Sequence, residues 1–199
     1  MAETSVRNGD VRDIDGVEAP AQGTWLLDEG HTTATFVARH MMVTKVRGHF
    51  ERVSGQVHIG VTPEDSSVDV TIDAASILSG STQRDDHLRS PDFLDVDTYP
   101  TITFRSTAVK QTGPRSLVVT GDLTIRDQTH PVELNVDFEG VERAPWGATV
   151  AGFSARAEID REQWGMTWNA ALETGGVLVG KKVQIEIEVE LNPAQAKAA

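Results

Sequence analysis

Strict alternation of apolar and polar residues in two segments constrains the fold of this chain more than any other feature. The apolar members are Val132, Leu134, Val136 and Phe138 in the first segment, and Val183, Ile185, Ile187, Val189 and Leu191 in the second. Because successive side chains of a β-strand point to opposite faces, each segment predicts a strand with one buried and one solvent-exposed face. Such strands are typical of antiparallel sheets and barrels.

Weaker alternation recurs along the chain and raises the expected number of strands to about eight. The further strands are expected within residues 24–28, 32–40, 45–60, 67–73, 101–110, 116–125 and 147–160. Turn sequences rich in glycine, proline and aspartate separate them. Closure of such a meander removes its free edges, and a barrel of about eight strands has an interior that holds one small ligand. A two-sheet sandwich is the alternative architecture.

One short helix is expected to interrupt the strands. Thr82 is the expected N-cap, Asp85 and Asp86 suit the positive end of the helix dipole, and Pro91 ends the helix. A single further turn is expected near residues 160–164. The predicted fold class is therefore all-β, an antiparallel barrel of about eight strands with one short helix.

Composition excludes several classes of partner. The 199 residues are most simply one domain, and a formal net charge of -12 leaves no basic excess for binding nucleic acid. No cysteine is present, so disulfides and thiolate metal sites are absent. Four histidines recur every nine residues, but this odd spacing alternates between strand faces, so no metal site is predicted. They are His31, His40, His49 and His58.

Both ends of the chain are expected to lie outside the barrel domain, which would span residues 23–191. Residues 1–22 are predicted to be an acidic disordered tail, and residues 192–199 a second disordered tail that begins at Asn192, before Pro193. No export signal and no stretch long enough to span a bilayer are recognisable, so we expect a cytoplasmic location without stable membrane insertion.

Cations and apolar side chains meet in the segment around the expected helix. Arg84, His87 and Arg89 accompany Leu88 and Phe93, which is the combination needed to hold a ligand with an anionic head and an apolar body. The alternative interpretation is a solvent-exposed helix that carries an ion pair and covers one end of the barrel.

Two other groups of residues suit the same kind of ligand. His40 and Arg47 flank the adjacent methionines Met41 and Met42, whose flexible side chains adapt to a hydrocarbon chain, although packing within a hairpin is the simpler interpretation. Tryptophans cluster late in the chain, where they either plug one end of the barrel or contact a ligand. They are Trp146, Trp164 and Trp168.

Four motifs, in order and at the right spacing, resemble the YceI-like family of polyisoprenoid-binding proteins over residues 23–191. They lie at residues 35–50, 83–95, 99–106 and 121–126. The resemblance implies an extended, lipocalin-like antiparallel barrel whose apolar interior binds a long isoprenoid chain, with a polar or phosphorylated head near the mouth. An isoprenoid quinone-like lipid would suit the same interior, and we expect binding without catalysis, cofactor or metal. A homodimer is compatible with it.

The resemblance also implies a division of the site into a head-group region and an apolar wall. The head-group residues are expected to be His40, Arg47, Arg84, His87 and Arg89. The apolar lining is expected to comprise Phe36, Met41, Met42, Phe93, Phe104, Phe138, Phe153 and Trp168. The two-residue alternation along a strand shows which side chains share a face, but it does not show which face points into the lumen.

Two other functions fit the sequence. The first is a small-molecule enzyme, a hydrolase or isomerase, that uses His87 with Asp86 or Asp95, although no nucleophile motif accompanies them. The second is a structural barrel that binds a basic protein through its acidic surface.

Overall fold

The computed structural model describes residues 9–14, 16–145, 147–171 and 176–194. The strands within these ranges are β1 (Val11–Ile14), β2 (Val17–Pro20), β3 (Gly23–Leu27), β4 (Thr33–His40), β5 (Thr44–Phe50), β6 (Val53–Ile59), β7 (Ser67–Asp73), β8 (Ile77–Leu78), β9 (Thr101–Gln111), β10 (Ser116–Ile125), β11 (Gln128–Arg143), β12 (Thr149–Asp160) and β13 (Val179–Pro193).

Eight of these strands form a closed antiparallel barrel. Their order is β3, β6, β7, β9, β10, β11, β12 and β13, and β3 pairs with β13 to complete the ring. The seam that joins β12 to β13 runs over ten residue pairs, from Ala151 and Leu191 to Asp160 and Lys182. The predicted all-β barrel is confirmed, and the sandwich alternative is wrong, because closure pairs the edges that a sandwich would leave open.

The second edge of β13 is shared between two partners, which extends the barrel at one end. Its C-terminal residues pair with β3, while the stretch from Val183 to Glu188 pairs with β4. Strands β5 and β8 continue outward from β4. The apolar residues of β11 and β13 that alternate in the sequence all face the barrel interior.

The short helix α1 (Thr82–Arg89) covers one end of the barrel. Its N-cap is Ser81 rather than the expected Thr82. Asp85 is buried and accepts a 2.8 Å hydrogen bond from the backbone N–H of Ser79, which ties the first turn of the helix to the segment after β8. The expected turn near residue 160 is a 3₁₀ helix, Arg161–Trp164.

Residues 11–14 and 17–20 correct the prediction that residues 1–22 form a disordered tail. Strands β1 and β2 form a hairpin whose apolar residues Ile14 and Val17 lie on the wall of the barrel cavity. Arg12 donates a 3.0 Å hydrogen bond to the carbonyl of Val61, and Thr149 donates one to the carboxylate of Asp10. Burial of these apolar side chains favours order despite the acidic composition. The second tail does not begin at Asn192 as expected, because Asn192 and Pro193 still pair with β3 at the end of β13. Residues 1–8 and 195–199 lie outside the described ranges.

Within the described ranges, the helices are all too short and too polar to span a lipid bilayer.

Gly121 allows β9 and β10 to approach closely, and this explains a glycine within one of the motifs. A Cβ added there would lie 2.4 Å from the ring of Phe104 and 2.5 Å from the carbonyl oxygen of Arg105. The register of the two strands shifts at this point. Glycine in a strand commonly marks such an approach.

We therefore expect Gly121→Ala to lower the free energy of unfolding by about 1–3 kcal/mol, because backbone and ring must both move. Urea denaturation checks the value. Gly113→Ala is the matched control, since its Cβ would lie at an ordinary 3.6 Å from Ser116, and we expect a change within about 0.5 kcal/mol. Equal stability of the two variants would contradict the close approach.

Candidate functional site

The barrel encloses a cavity of about 680 Å³ whose wall is almost entirely apolar. It runs from α1, where Leu88 and Phe93 contribute to its wall, to the β1–β2 hairpin at the opposite end. Between them the wall consists of the inward-facing side chains of the barrel strands. Its volume lies in the range of pockets that bind small organic molecules.

Five of the eight residues expected to line the ligand lie on this wall. They are Phe36, Phe93, Phe104, Phe138 and Phe153. Phe138 and Phe153 pack against each other with ring centroids 5.1 Å apart. Whether these rings contact a ligand stays a prediction.

Met41, Met42 and Trp168 lie elsewhere. The two methionines form the turn between β4 and β5, where both have positive φ angles and are about half exposed. The turn itself holds their side chains away from the lumen. Trp168 packs outside the cavity wall, against His87 at 4.5 Å and Phe93 at 5.5 Å between centroids.

None of the five residues expected to bind a head group lies on the cavity wall. Arg84 donates to the side-chain and backbone oxygens of Ser79, each at 2.7 Å. Arg89 donates to the carbonyls of Ala75 and Ile77 at 2.9 and 2.7 Å. These contacts fasten α1 to the barrel, so both guanidinium groups have a structural role in this arrangement.

The other three expected head-group residues have partners at the surface or along strand edges. Arg47 forms an ion pair with Glu186 at 2.7 Å. His40 is the last residue of β4 and is paired with Thr44 and Val179. His87 contacts Asp92 at 3.0 Å. The sequence shows which residues lie next to these three along the chain, but it does not show the direction in which their side chains point.

The enzyme alternative finds no support in the position of His87. Its carboxylate partner is Asp92, whereas Asp86 pairs with Arg89 at 3.4 Å and Asp95 occupies a turn with a positive φ angle. The contact between His87 and Asp92 lies outside the cavity wall, at a partly exposed position. Among the described residues, the carboxylate that contacts His87 is thus neither Asp86 nor Asp95.

One group of potential metal ligands lies at the protein surface, away from the cavity. Asp28, His31 and Glu190 bring one ligand atom each within 4.8 Å of one another. Asp28 already accepts hydrogen bonds from the backbone N–H groups of Gly30 and His31, and from Asn192. These contacts are those of a capped turn.

Three arginines that the sequence did not single out do contribute to the cavity wall: Arg12, Arg115 and Arg161. Arg12 and Arg115 lie at the hairpin end, and Arg115 also contacts the ring of Phe138 at 5.7 Å. Arg161 lies at the α1 end and is only 3% exposed. In the sequence Arg161 is flanked by Asp160 and Glu162 within the expected turn, and nothing in this pattern indicates burial.

Comparison with known proteins identifies the family. The YceI-like domain matches residues 25–191. The chain belongs to the YceI-like family. A UPF0312 protein from Staphylococcus aureus is 36% identical over 170 residues, which cover 83% of this chain and 95% of that protein.

Solved structures show the same fold. BcnA from Burkholderia cenocepacia superposes with a TM-score of 0.72 and 25% identity, covering 82% of this chain and 98% of BcnA. A polyisoprenoid binding domain from Saccharophagus degradans superposes with a TM-score of 0.64 at 14% identity, covering 87% of this chain and 99% of that domain.

In this YceI-like chain the motif around α1 is a structural clamp. We expect Arg89→Met to lower the free energy of unfolding by about 1–3 kcal/mol, because two partly buried carbonyls lose a charged donor. Arg47→Met removes a surface ion pair and should cost no more than about 1 kcal/mol. Chemical denaturation of both variants checks the difference, and equal losses would contradict the clamp.

Proposed function

We propose that this protein binds a long-chain isoprenoid, or a similar amphiphilic lipid, inside the barrel and carries it without chemical change. The observation that carries the proposal is the apolar cavity of about 680 Å³, which an apolar chain would fill. An isoprenoid quinone has the same kind of apolar tail and falls within the proposal.

The family supports this ligand class. The Saccharophagus degradans domain that shares the fold is described as polyisoprenoid binding. The likeness to that domain is at the level of fold, so the ligand class is inferred for this chain from the cavity and the family together. A homodimer and a cytoplasmic location stay predictions from the sequence.

Burial of an isoprenoid chain in such a cavity would release enough free energy for stable binding. Each CH₂ group transferred from water to an apolar site contributes about 0.8 kcal/mol. Several isoprene units would therefore offset the several kcal/mol lost when the chain is ordered and immobilised. Affinity should then rise with chain length until the cavity is full.

The arrangement favours a binding role over a catalytic one. The cavity wall is formed mainly by aliphatic and aromatic side chains, and the contact between His87 and Asp92 lies outside it. A reacting group held in the cavity would therefore meet neither His87 nor its carboxylate partner.

We expect Ala155→Phe to weaken binding of a polyprenol that fills the cavity by at least about tenfold, because the added ring displaces about two methylene groups. Ala155 lies on the cavity wall and is buried. Isothermal calorimetry with farnesol, geranylgeraniol and a longer polyprenol measures the effect. The loss should grow with chain length.

Ala108→Phe is the matched control, since Ala108 is exposed on β9 and does not line the cavity. It should leave binding unchanged. Denaturation curves confirm that both variants are folded. If the wild-type protein binds none of the three alcohols saturably, or if both variants bind them equally well, the proposal is wrong.

A further inference from the structure

The cavity of this barrel contains one deeply buried charge whose hydrogen bonds are incomplete. Arg161 follows β12 directly and begins the 3₁₀ helix, Arg161–Trp164. Asp160 caps this turn by accepting a 3.0 Å hydrogen bond from the N–H of Glu162, and Gly165 ends it in a left-handed conformation. The turn carries the guanidinium group inward, so that Arg161 is 3% exposed and lies on the cavity wall.

Two of the three guanidinium nitrogens have protein acceptors. Nε donates to the carbonyl of Gly180 at 3.1 Å, and Nη1 donates to the carbonyl of Met166. Nη2 has no hydrogen-bond partner among the residues that the structure describes, although it is buried. The ring of Phe93 lies 5.9 Å from the guanidinium carbon and provides a further contact of the cation–π type.

The positive charge of Arg161 also lacks an ion pair within the described ranges. Its sequence neighbours are engaged elsewhere: Glu162 pairs with Lys181 at 2.7 Å, and Asp160 caps the turn. Burial lowers the pKa of Arg161, but a guanidinium keeps its proton at every pH at which proteins fold. A fixed charge therefore lies beside an apolar cavity, which is unfavourable unless a ligand compensates it.

No other polar group of the wall combines deep burial with charge. Arg12 has an unpartnered Nε and Arg115 donates to the carbonyl of Glu139, but neither side chain is buried as Arg161 is. Arg115 is exposed, so water completes its hydrogen bonds, and Arg12 is only partly buried and already donates to the carbonyl of Val61. Thr32 is buried with an unpartnered hydroxyl, but a neutral hydroxyl costs far less to bury than a charge.

We propose that Arg161 forms a subsite for the carboxylate of an amphiphile whose apolar chain lies in the cavity. One carboxylate supplies one negative charge and an acceptor for Nη2, which matches what the side chain lacks. A diphosphate carries more negative charge than a single guanidinium balances, and the excess would be buried without a partner. The subsite rests on the proposed function, because it needs the chain to occupy the barrel.

The test compares three ligands that share one chain and differ in their heads: farnesoic acid, methyl farnesoate and farnesyl diphosphate. Their affinities are measured by calorimetry at pH 8, where the acid is ionised. We expect farnesoate to bind wild-type protein about tenfold or more tightly than either other ligand, since a charged hydrogen bond is gained. Equal or tighter binding of the ester or the diphosphate would overturn the subsite.

Two variants locate the effect. Arg161→Met should abolish the preference for farnesoate while methyl farnesoate still binds, because the chain contacts are kept. Arg115→Met, at the hairpin end of the same cavity, should keep the preference. The subsite is wrong if the preference survives in Arg161→Met or disappears only in Arg115→Met.

A second measurement needs no variant and covers the case in which Arg161→Met does not fold. Carbon-13 NMR of farnesoic acid labelled at its carboxyl carbon follows the ionisation of the bound ligand. Contact with Arg161 should keep the pKa of the bound acid at or below that of the free acid, since a guanidinium favours the ionised form. A raised pKa would indicate burial without a cationic partner and would overturn the subsite.

The two proposals fail in different ways. If neither farnesoate nor its methyl ester binds, the subsite is wrong, and if the three alcohols also fail to bind, the proposed function is wrong as well. If both bind with the same affinity, the proposed function stands and the role of Arg161 alone is wrong.

Discussion

Pairing between β12 and β13 is the constraint on which the rest of the structure depends. It closes the barrel along ten residue pairs from Ala151 and Leu191 to Asp160 and Lys182. Once the ring is closed, the backbone groups of these strands are satisfied by their neighbours, so the lumen needs no polar side chains. The apolar residues of β11 and β13 then face inward around a cavity of about 680 Å³ instead of a solid core.

Sequence pattern predicted this architecture well because strand alternation is a local property. The segment from Val183 to Leu191 has the same period in the sequence and in the barrel. The hairpin of residues 11–20 escaped prediction, since its strands have only four residues each and its acidic composition suggested a tail. Its order depends on the contacts of Ile14 and Val17 with the barrel wall, which are far away in the sequence.

The cations around the cavity show why a site is harder to predict than a fold. Arg84 and Arg89 stand beside apolar residues in the sequence, yet they donate to oxygens of the segment from Ala75 to Ser79. Arg161 stands between two acids in the sequence, a pattern that does not indicate burial, yet it is buried. In each case the direction of the side chain depends on backbone acceptors that are brought close only by the folded chain.

Two buried charged residues in the same protein differ in how completely their hydrogen bonds are made. Asp85 accepts from both the backbone N–H and the hydroxyl of Ser79, so its burial stabilises the end of the barrel. Arg161 keeps one nitrogen without an acceptor among the described residues. A buried polar group with a purely structural role forms all its hydrogen bonds within the protein. A buried polar group that lacks a hydrogen bond lowers the stability of the fold until a bound ligand supplies the missing partner. By this criterion Asp85 has a structural role, whereas Arg161 is the charge available to a ligand.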